Sequence, residues 1–494
     1  MFTAVTLWWL GFFTAMGLCI GSFLNAVIHR LPRMGTLRSP RWSTCPACRH
    51  RIHWYDNLPI ISFVLLRGRC RHCGAPIATR YVVVEAGMAV VTLMLLDTFF
   101  IAQHRAGLLN SPVGLTEELS SDWPMLLSHV ILFACLFAMS AIDLEHYWVD
   151  IRFTNLATCV GFATHALWTP RHSAAWVRPD DRTAVACLLA SFGLGLVWLV
   201  LICRAPPEEV EEVPSVSDPV PADETAATAI PMRREHWYEL PSRAFAWASC
   251  LLLIWLFIEL FLVESGRNRL PFTPRGITPL VLFFLLILRE STVVRGSDQE
   301  IVDAIEQERV FARRVALEEF ALLLPALVLG ALGWWLMSQS GDREITTRIS
   351  NTLHSDVGWG RTALFRHWTP LFGLATAATG YVIAGALGWA LRIVFTLILG
   401  KEAFGTGDIH LMAAAGCVAG WPVAVIGFFL TCLLALLGWV LVMPFKRSRA
   451  LPLGPWLSLS FLAVVVFYEP IVRSPLIRSF AALASLASGV MVPP

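Results

Sequence analysis

Residues 371–416 read LFGLATAATGYVIAGALGWALRIVFTLIL, GKEA, FGTGD, IHLMAAAG. A long apolar run, Leu371–Leu399, is interrupted by the polar step Gly400-Lys401-Glu402, and a second apolar run, Ile409–Ala419, follows. Between them Asp408 stands in Phe404-Gly405-Thr406-Gly407-Asp408. The first run is long enough to cross a bilayer, which needs about 17–25 apolar residues. An ionisable group at the rim of such a span is costly and is a functional candidate by default. Gly405 and Gly407 allow close backbone approach and conformations closed to other residues. That suits a carboxylate that must meet an extended peptide. A plain alternative also stands: a solvated Asp capping the helix that follows.

The same pattern recurs along the chain. Of 494 residues 56% are apolar and only 15% charged, which excludes a soluble globular protein and predicts an all-α, polytopic transmembrane helical bundle. A net charge of +2 says little; the distribution of charge says more. Met1–Ile28 lacks a basic n-region and a small-residue cleavage pattern, so it reads as a retained first span. Its end, Gly21-Ser22-Phe23-Leu24-Asn25, holds two polar residues that serve either as packing glue between helices or as site lining.

From His29 to Arg80 there are ten arginines against a single acid, Asp56. The positive-inside rule assigns this loop to the cytoplasm. Within it lie Cys45-Pro46-Ala47-Cys48 and Cys70-Arg71-His72-Cys73. Two C-x-x-C pairs at this spacing predict a four-thiolate zinc site, each pair forming one knuckle. Disulfides are the competing reading, and a reducing cytosol disfavours them. A closed four-sulfur shell is structural rather than catalytic, and His50, His53 and His72 read as surface histidines. The flanking spans and the zinc pattern favour a small zinc-ribbon-like membrane-surface module over a nucleic-acid or anionic-lipid binder. The other eight cysteines lie in or beside apolar runs and read as buried thiols.

Further spans follow at Tyr81–Ala102, Met125–Ile142, Phe153–Trp168, Ala184–Cys203, Phe245–Val263, Phe320–Met337 and Leu371–Leu399. The run Ile277–Leu288 is short for a crossing. Between Arg204 and Arg233 six prolines and seven acids predict a disordered tether, with attraction of a basic substrate segment as the alternative. Ser297-Asp298-Gln299-Glu300 has capping-box spacing and predicts a charged surface helix to Glu319.

The third span ends in Asp143-Leu144-Glu145-His146-Tyr147-Trp148-Val149-Asp150. Negative charge near a helix C-terminus opposes the helix dipole, so helix stability does not explain Asp143. Counting every run as a crossing, Ile277–Leu288 included, puts Asp143 and Asp408 on one face. The cluster Lys446, Arg447 and Arg449 then also falls in the cytoplasm. Two carboxyls on one face suit peptide hydrolysis, one as base on a water and the other as acid toward the carbonyl oxygen. The chain has neither H-E-x-x-H nor G-x-S-x-G.

GSFLNAVIHRLP (21–32), CPAC with CRHC, NLPIISFVLLRGRC (57–70), RYVVVEA (80–86), IDLEHYWVD (142–150), GKEAFGTGDIHLMAAAG (400–416) and Leu453-Gly454-Pro455 stand in this order. As a set they resemble the prepilin leader peptidases, the G-x-G-D aspartic membrane proteases of type IV pilus and type II secretion systems. The resemblance implies catalytic roles for Asp143 and Asp408, loop roles for Gly405 and Gly407, and zinc ligation by Cys45, Cys48, Cys70 and Cys73. It implies cleavage of a short basic leader after glycine in prepilin or pseudopilin substrates, by a multi-pass protein of the bacterial cytoplasmic (inner) membrane with its site facing the cytoplasm. Many such enzymes also methylate the new N-terminus with S-adenosylmethionine; that expectation rests on the resemblance alone. The rival readings are a catalytically silent membrane scaffold of a pilus or secretion machine, and a protease for another leader-bearing membrane protein.

Three positions depart from the usual pattern: Glu145 for Asp, Val149 for Pro and His410 for Lys. A larger departure is the stretch from Arg204 to about Pro370, which has no counterpart in a typical member. The expected organisation is a first span (1–28), a zinc loop (29–80), spans carrying Asp143 (81–203), an atypical insertion (204–370), a core carrying G-x-G-D (371–475) and a tail (476–494).

Overall fold

The computed structural model describes residues 4–34, 42–102, 115–146, 149–169, 179–204, 243–262, 274–291, 311–339, 343–354, 369–402, 404–444 and 452–475. Most of the acidic linker, the segment Ser297–Glu300, the cluster Lys446–Arg449 and the 476–494 tail lie outside these residues. Helices dominate, and the only β pairing among the described residues is two isolated bridges in the cysteine loop.

Helix α3 (Arg80–Leu96) is the centre. All but one of its residues are buried, as expected of a helix apolar on every side. Antiparallel to it lies α1 (Ala4–Met34). Gly17 of α1 sits on the backbone of Ala89, and Gly21 on that of Glu85. Small residues one turn apart permit this close approach, as in other membrane helix pairs. Next to α3 stands α4 (Leu115–His146), whose C-terminal turn carries Asp143, and α5 (Ile151–Leu167) returns from it.

The G-x-G-D half forms the other side. Helix α11 (Pro370–Leu399) ends in Gly400, which has a left-handed φ of 65° and reverses the chain. Helix α12 (Thr406–Ala419) then runs back along α11, with Gly380 and Gly416 in backbone contact. Helices α13 (Trp421–Val442) and α14 (Gly454–Val466) complete the bundle, followed by the short α15 (Tyr468–Val472). The largest fully buried side chains include Trp456 and Phe461 of α14, Phe99 just after α3, and Phe372 of α11.

The region expected to be an insertion contributes four helices among the described residues. α7 (Arg243–Leu262) packs against α3 near Val82 and Val83. α8 (Pro274–Ser291) begins where Arg275 meets Asp97 at 3.3 Å, passes Phe283 over Gly87, and ends with Leu286 against the Val82–Val83 cluster. It therefore runs antiparallel to α3, the contacts from Arg275 to Leu286 covering roughly 16 Å of rise at about 1.5 Å per residue. The short run Ile277–Leu288 is part of a longer helix whose polar ends are buried by pairing.

α9 (Ala312–Ser338) packs on α6 (Asp181–Arg204) through a seam of small residues: Gly193 on Ala326, Gly330 on Ala190, and Gly333 on Ala186. The span expected at Phe320–Met337 and the end of the charged helix before it are thus one continuous helix. α10 (Arg343–Leu353) rests on the start of α6, where Ser350 Oγ donates to Asp181 at 2.6 Å and His354 Nε2 lies 2.8 Å from it.

Among the described residues seven helices are long and apolar enough to cross a membrane: those at 4–32, 80–101, 118–146, 181–201, 312–338, 370–399 and 421–442. The spans expected at Phe153–Trp168 and Phe245–Val263 correspond to the shorter α5 and α7.

Candidate active site

Asp143 is 6% exposed. The backbone N–H of Gly454 donates to its Oδ2 at 2.9 Å. Gly454 opens α14 and is followed by Pro455, so this is a helix N-terminus presenting an unpaired donor. A carboxylate there gains both the hydrogen bond and the favourable end of the helix dipole. Gly454 is required by space, since a Cβ on it would lie 2.8 Å from Asp143 Oδ2. One turn further, the Ser140 and Ser458 hydroxyls are 2.7 Å apart and tie α4 to α14.

Asp408 lies in the first turn of α12, half-buried. The residue at the N-cap is Gly405, with no side-chain cap bond, so Asp408 is not the capping group that the plain alternative required. Gly407 packs so tightly on Val149 that a Cβ would come 2.6 Å from the valine Cβ. That contact joins the Asp408 segment to the chain just after α4. The Asp143 and Asp408 carboxyls lie within electrostatic range of each other, and among the described residues neither forms an ion pair.

The neighbouring acids are occupied otherwise. Asp150 is the N-cap of α5, accepting from the Arg152 backbone N–H at 2.9 Å and pairing with its guanidinium at 2.7 Å. Glu145 faces Arg80 at 3.4 Å. Of the acids in the 143–150 segment, Asp143 alone has an acid rather than a base opposite it. Asn25 donates to the Tyr81 carbonyl at 3.1 Å, and Ser22 bonds to Glu85, which also accepts from the Ile60 N–H at 2.7 Å. The polar residues at the end of α1 therefore hold α1, α3 and the cysteine loop together.

The Sγ atoms of Cys45, Cys48, Cys70 and Cys73 all lie within 4.8 Å of one another, and those of Cys45 and Cys73 are 3.9 Å apart. A tetrahedral zinc with Zn–S bonds of about 2.3 Å needs sulfurs roughly 3.8 Å apart, so the residues fit a metal. A disulfide, at about 2.05 Å, does not match that separation. The two knuckles are twins: Arg49 N–H donates to the Cys45 carbonyl at 2.8 Å, as Gly74 N–H does to that of Cys70 at 3.0 Å. The bridges Thr44–Arg51 and Arg69–Pro76 close them. Backbone N–H groups of Cys73 and His72 bring the Cys70 thiol down to about 7, which favours the thiolate that a metal needs. Arg71 forks onto Asp56 at 2.6–3.1 Å and holds that carboxyl below its usual range. His50, His53 and His72 are exposed.

Two residues beside the site carry no motif. Arg392, a lone cation within the apolar α11, is 6% exposed and reaches the carbonyl of Phe404, immediately before Gly405. Its partner Glu319 comes from α9. An arginine inside a membrane-length apolar run is itself a signal of function; the identity of its partner is not readable from spacing.

Comparison with known proteins finds two family domains. Residues 15–99 match the bacterial peptidase A24 N-terminal domain, and residues 346–440 match the type IV leader peptidase family. The four cysteines fall in the first and Asp408 in the second, while Asp143 lies between them. A protein of Myxococcus xanthus named prepilin leader peptidase/N-methyltransferase is 37% identical over 152 residues, covering 31% of this chain and 39% of its own length. One of the same name from Klebsiella pneumoniae is 38% identical over 171 residues, 31% of this chain and 66% of its own. A type 4 prepilin-like proteins leader peptide-processing enzyme of Escherichia coli O78:H11 is 34% identical over 203 residues, 36% of this chain and 62% of its own. The chain thus spans between about a third and two thirds of the length of the curated relatives it matches. No solved structure matches it significantly.

Proposed function

We propose that this chain, which carries both the N-terminal and the leader-peptidase domains of the A24 peptidase family, is a membrane aspartic endopeptidase that removes the leader from type IV prepilin-like substrates. One observation carries the reading: Asp143 and Asp408, from segments far apart in sequence, lie within electrostatic range of each other, and among the described residues neither forms an ion pair. Two carboxyls so disposed share one proton. One takes a proton from water as its oxygen attacks the scissile carbonyl carbon, and the other gives its proton to the carbonyl oxygen. Collapse of the tetrahedral adduct breaks the C–N bond, and the amine leaves with a proton. Gly405 adds no side chain beside Asp408, and Gly407 lets its turn close onto Val149 and so holds Asp408 against the chain that follows α4.

The proposed bond follows a glycine, between a basic leader and an apolar helix. The proposed orientation is cytoplasmic. Arg80 closes the arginine-rich loop and faces Glu145, two residues from Asp143, so the dyad shares the face that the positive-inside rule assigns to the cytoplasm. Zinc, held by Cys45, Cys48, Cys70 and Cys73, supplies a structural cross-link there. The relatives' names include N-methyltransferase, and S-adenosylmethionine is the methyl donor such an activity uses.

The test is co-expression in membranes with a prepilin bearing a basic leader, a glycine and an apolar helix, scored by gel shift and by mass of the product. Wild type is expected to shorten the substrate, and Asp143→Asn and Asp408→Asn to leave it intact. Processing that survives either substitution overturns the aspartic mechanism, and an inert wild type favours the scaffold or another substrate. A product one methyl group heavier than the cleaved peptide establishes the second activity.

A further inference from the structure

Arg392 stands about two turns before the end of α11 and reaches toward the G-x-G-D loop, and its hydrogen bonds divide in two directions. Nε and Nη2 fork onto the Glu319 carboxylate at 2.9–3.1 Å. Nη1 reaches Glu402 and the carbonyl of Phe404. Glu319 belongs to α9, in the stretch where a typical leader peptidase has no counterpart, whereas Glu402 and Phe404 lie in the loop that delivers Asp408. One guanidinium thus bolts the additional helix to the catalytic loop.

The geometry of arginine makes this more than charge balance. Its donors are fixed in one plane, so a carboxylate gripping the Nε–Nη2 edge sets where Nη1 points. Here Nη1 is aimed at the Phe404 carbonyl, one residue before the N-cap of α12. The connection has little else to fix it. Gly400 turns the chain with φ of 65°, Gly405 and Gly407 follow, and α12 has no side-chain cap. The Phe404 ring gives one further anchor, edge-on to Phe428 at 5.7 Å. Arg313 of α9 approaches Gly400 itself, a second contact of α9 with the same turn.

We infer that Glu319 is a positioning residue for the dyad: through Arg392 it holds Glu402 and the Phe404 carbonyl and so sets where Asp408 stands. Docking of α9 is then a condition of activity, and a partner that displaces α9 would regulate the site. The inference rests on the peptidase reading for its activity arm alone.

The full-length protein in nanodiscs tests it with Glu319→Gln, which is isosteric and keeps one acceptor, and Arg392→Lys, which keeps the charge but not the fork. Glu318→Gln is the control, because Glu318 is exposed and pairs with Arg314 one turn before it. Two readouts are taken: leader cleavage as kcat and KM, and amide hydrogen exchange of residues 400–408. In both test variants kcat is expected to fall by about tenfold or more, since displacing a reacting group by an ångström has that order of cost. KM should stay within about twofold of wild type, and exchange of 400–408 should rise while that of α3 and α14 does not. Restored protection in the swapped pair Glu319→Arg with Arg392→Glu would support the link directly. Unchanged exchange in Glu319→Gln overturns the inference, whatever the activity does. If wild type cleaves no prepilin, the peptidase reading fails and the exchange measurement still decides the coupling.

Discussion

Gly454 donates its backbone N–H to Asp143 Oδ2 at 2.9 Å, joining positions 311 apart in the chain. This bond assigns a task to Leu453-Gly454-Pro455. The start of α14 is a cradle for Asp143, holding one of its oxygens by backbone alone and with no added charge. Asp408 of α12 lies within electrostatic range of the same carboxyl.

Gly454→Ala tests the cradle. The added methyl would lie 2.8 Å from the Asp143 carboxylate oxygen, a separation that forces either the side chain or the helix start to move. Leader cleavage is expected to fall by about tenfold to a hundredfold through misplacement of the acid. Thermal unfolding should shift little, because the α14 core around Trp456 and Phe461 is untouched. Full activity in Gly454→Ala would show that the contact does not position Asp143.

Gly407 and Val149 form a paired test. A methyl at 407 collides with Val149 Cβ and Cγ1, so Gly407→Ala alone should impair processing. Val149→Ala alone removes part of one branched side chain and should have a small effect. Combined, Val149→Ala opens space for the new methyl, and the double variant should recover part of the loss. Residues in contact couple by roughly 0.5–3 kcal/mol, which a double-mutant cycle on cleavage rate resolves. Additivity would mean that the α4–α5 connection and the G-x-G-D turn act separately.

The long spans were legible because each leaves a local mark, a sustained apolar run, and a local mark of the same kind, an acid at the edge of such a run, is what proposes the two carboxylates. The cysteine knuckles were legible for the same reason. What was not legible depended on tertiary partners. Arg392 was hidden inside Leu371–Leu399, which reads as one apolar run, and its partner Glu319 lies 73 residues away in a segment without a motif. Hydropathy truncated α8 at its polar ends, since it scores Arg275 as exposed charge; in the fold Asp97 neutralises it and the helix extends. Asp150 looked equivalent to Asp143 in sequence. Only the cap it makes on Arg152 distinguishes them.

The cysteine loop is expected to hold one zinc ion per chain, measured by metal analysis of the purified protein. Cys45→Ser or Cys70→Ser should lose the metal and expose the arginine-rich loop to trypsin, while the helical bundle keeps its thermal transition. Arg49 supplies a further check. It adopts φ of 55° at the position where the twin knuckle has Gly74 with φ of 69°. Left-handed backbone costs a non-glycine residue roughly 1 kcal/mol, so Arg49→Gly should strengthen resistance of the loop to chelators. A protein free of zinc when prepared without chelator would refute the assignment.

Gly380 and Gly385 lie on the same helix and both face α12, yet they should respond oppositely to alanine. At Gly380 a Cβ would strike the Gly416 carbonyl, which belongs to the backbone and cannot swing aside. Overpacking of this kind costs about 1–3 kcal/mol, and the displaced α12 carries Asp408 with it. At Gly385 the nearest atom is Ala413 Cβ at 3.5 Å, an ordinary contact. There alanine adds helix propensity worth roughly 0.5–1 kcal/mol and meets no obstacle. Thermal unfolding in detergent should therefore show a lowered Tm for Gly380→Ala and an unchanged or raised Tm for Gly385→Ala, with leader cleavage reduced only in the first. Equal behaviour of the two would mean that α11 and α12 do not meet at the Gly380–Gly416 crossing, and the route by which α11 fixes the Asp408 turn would have to be drawn differently.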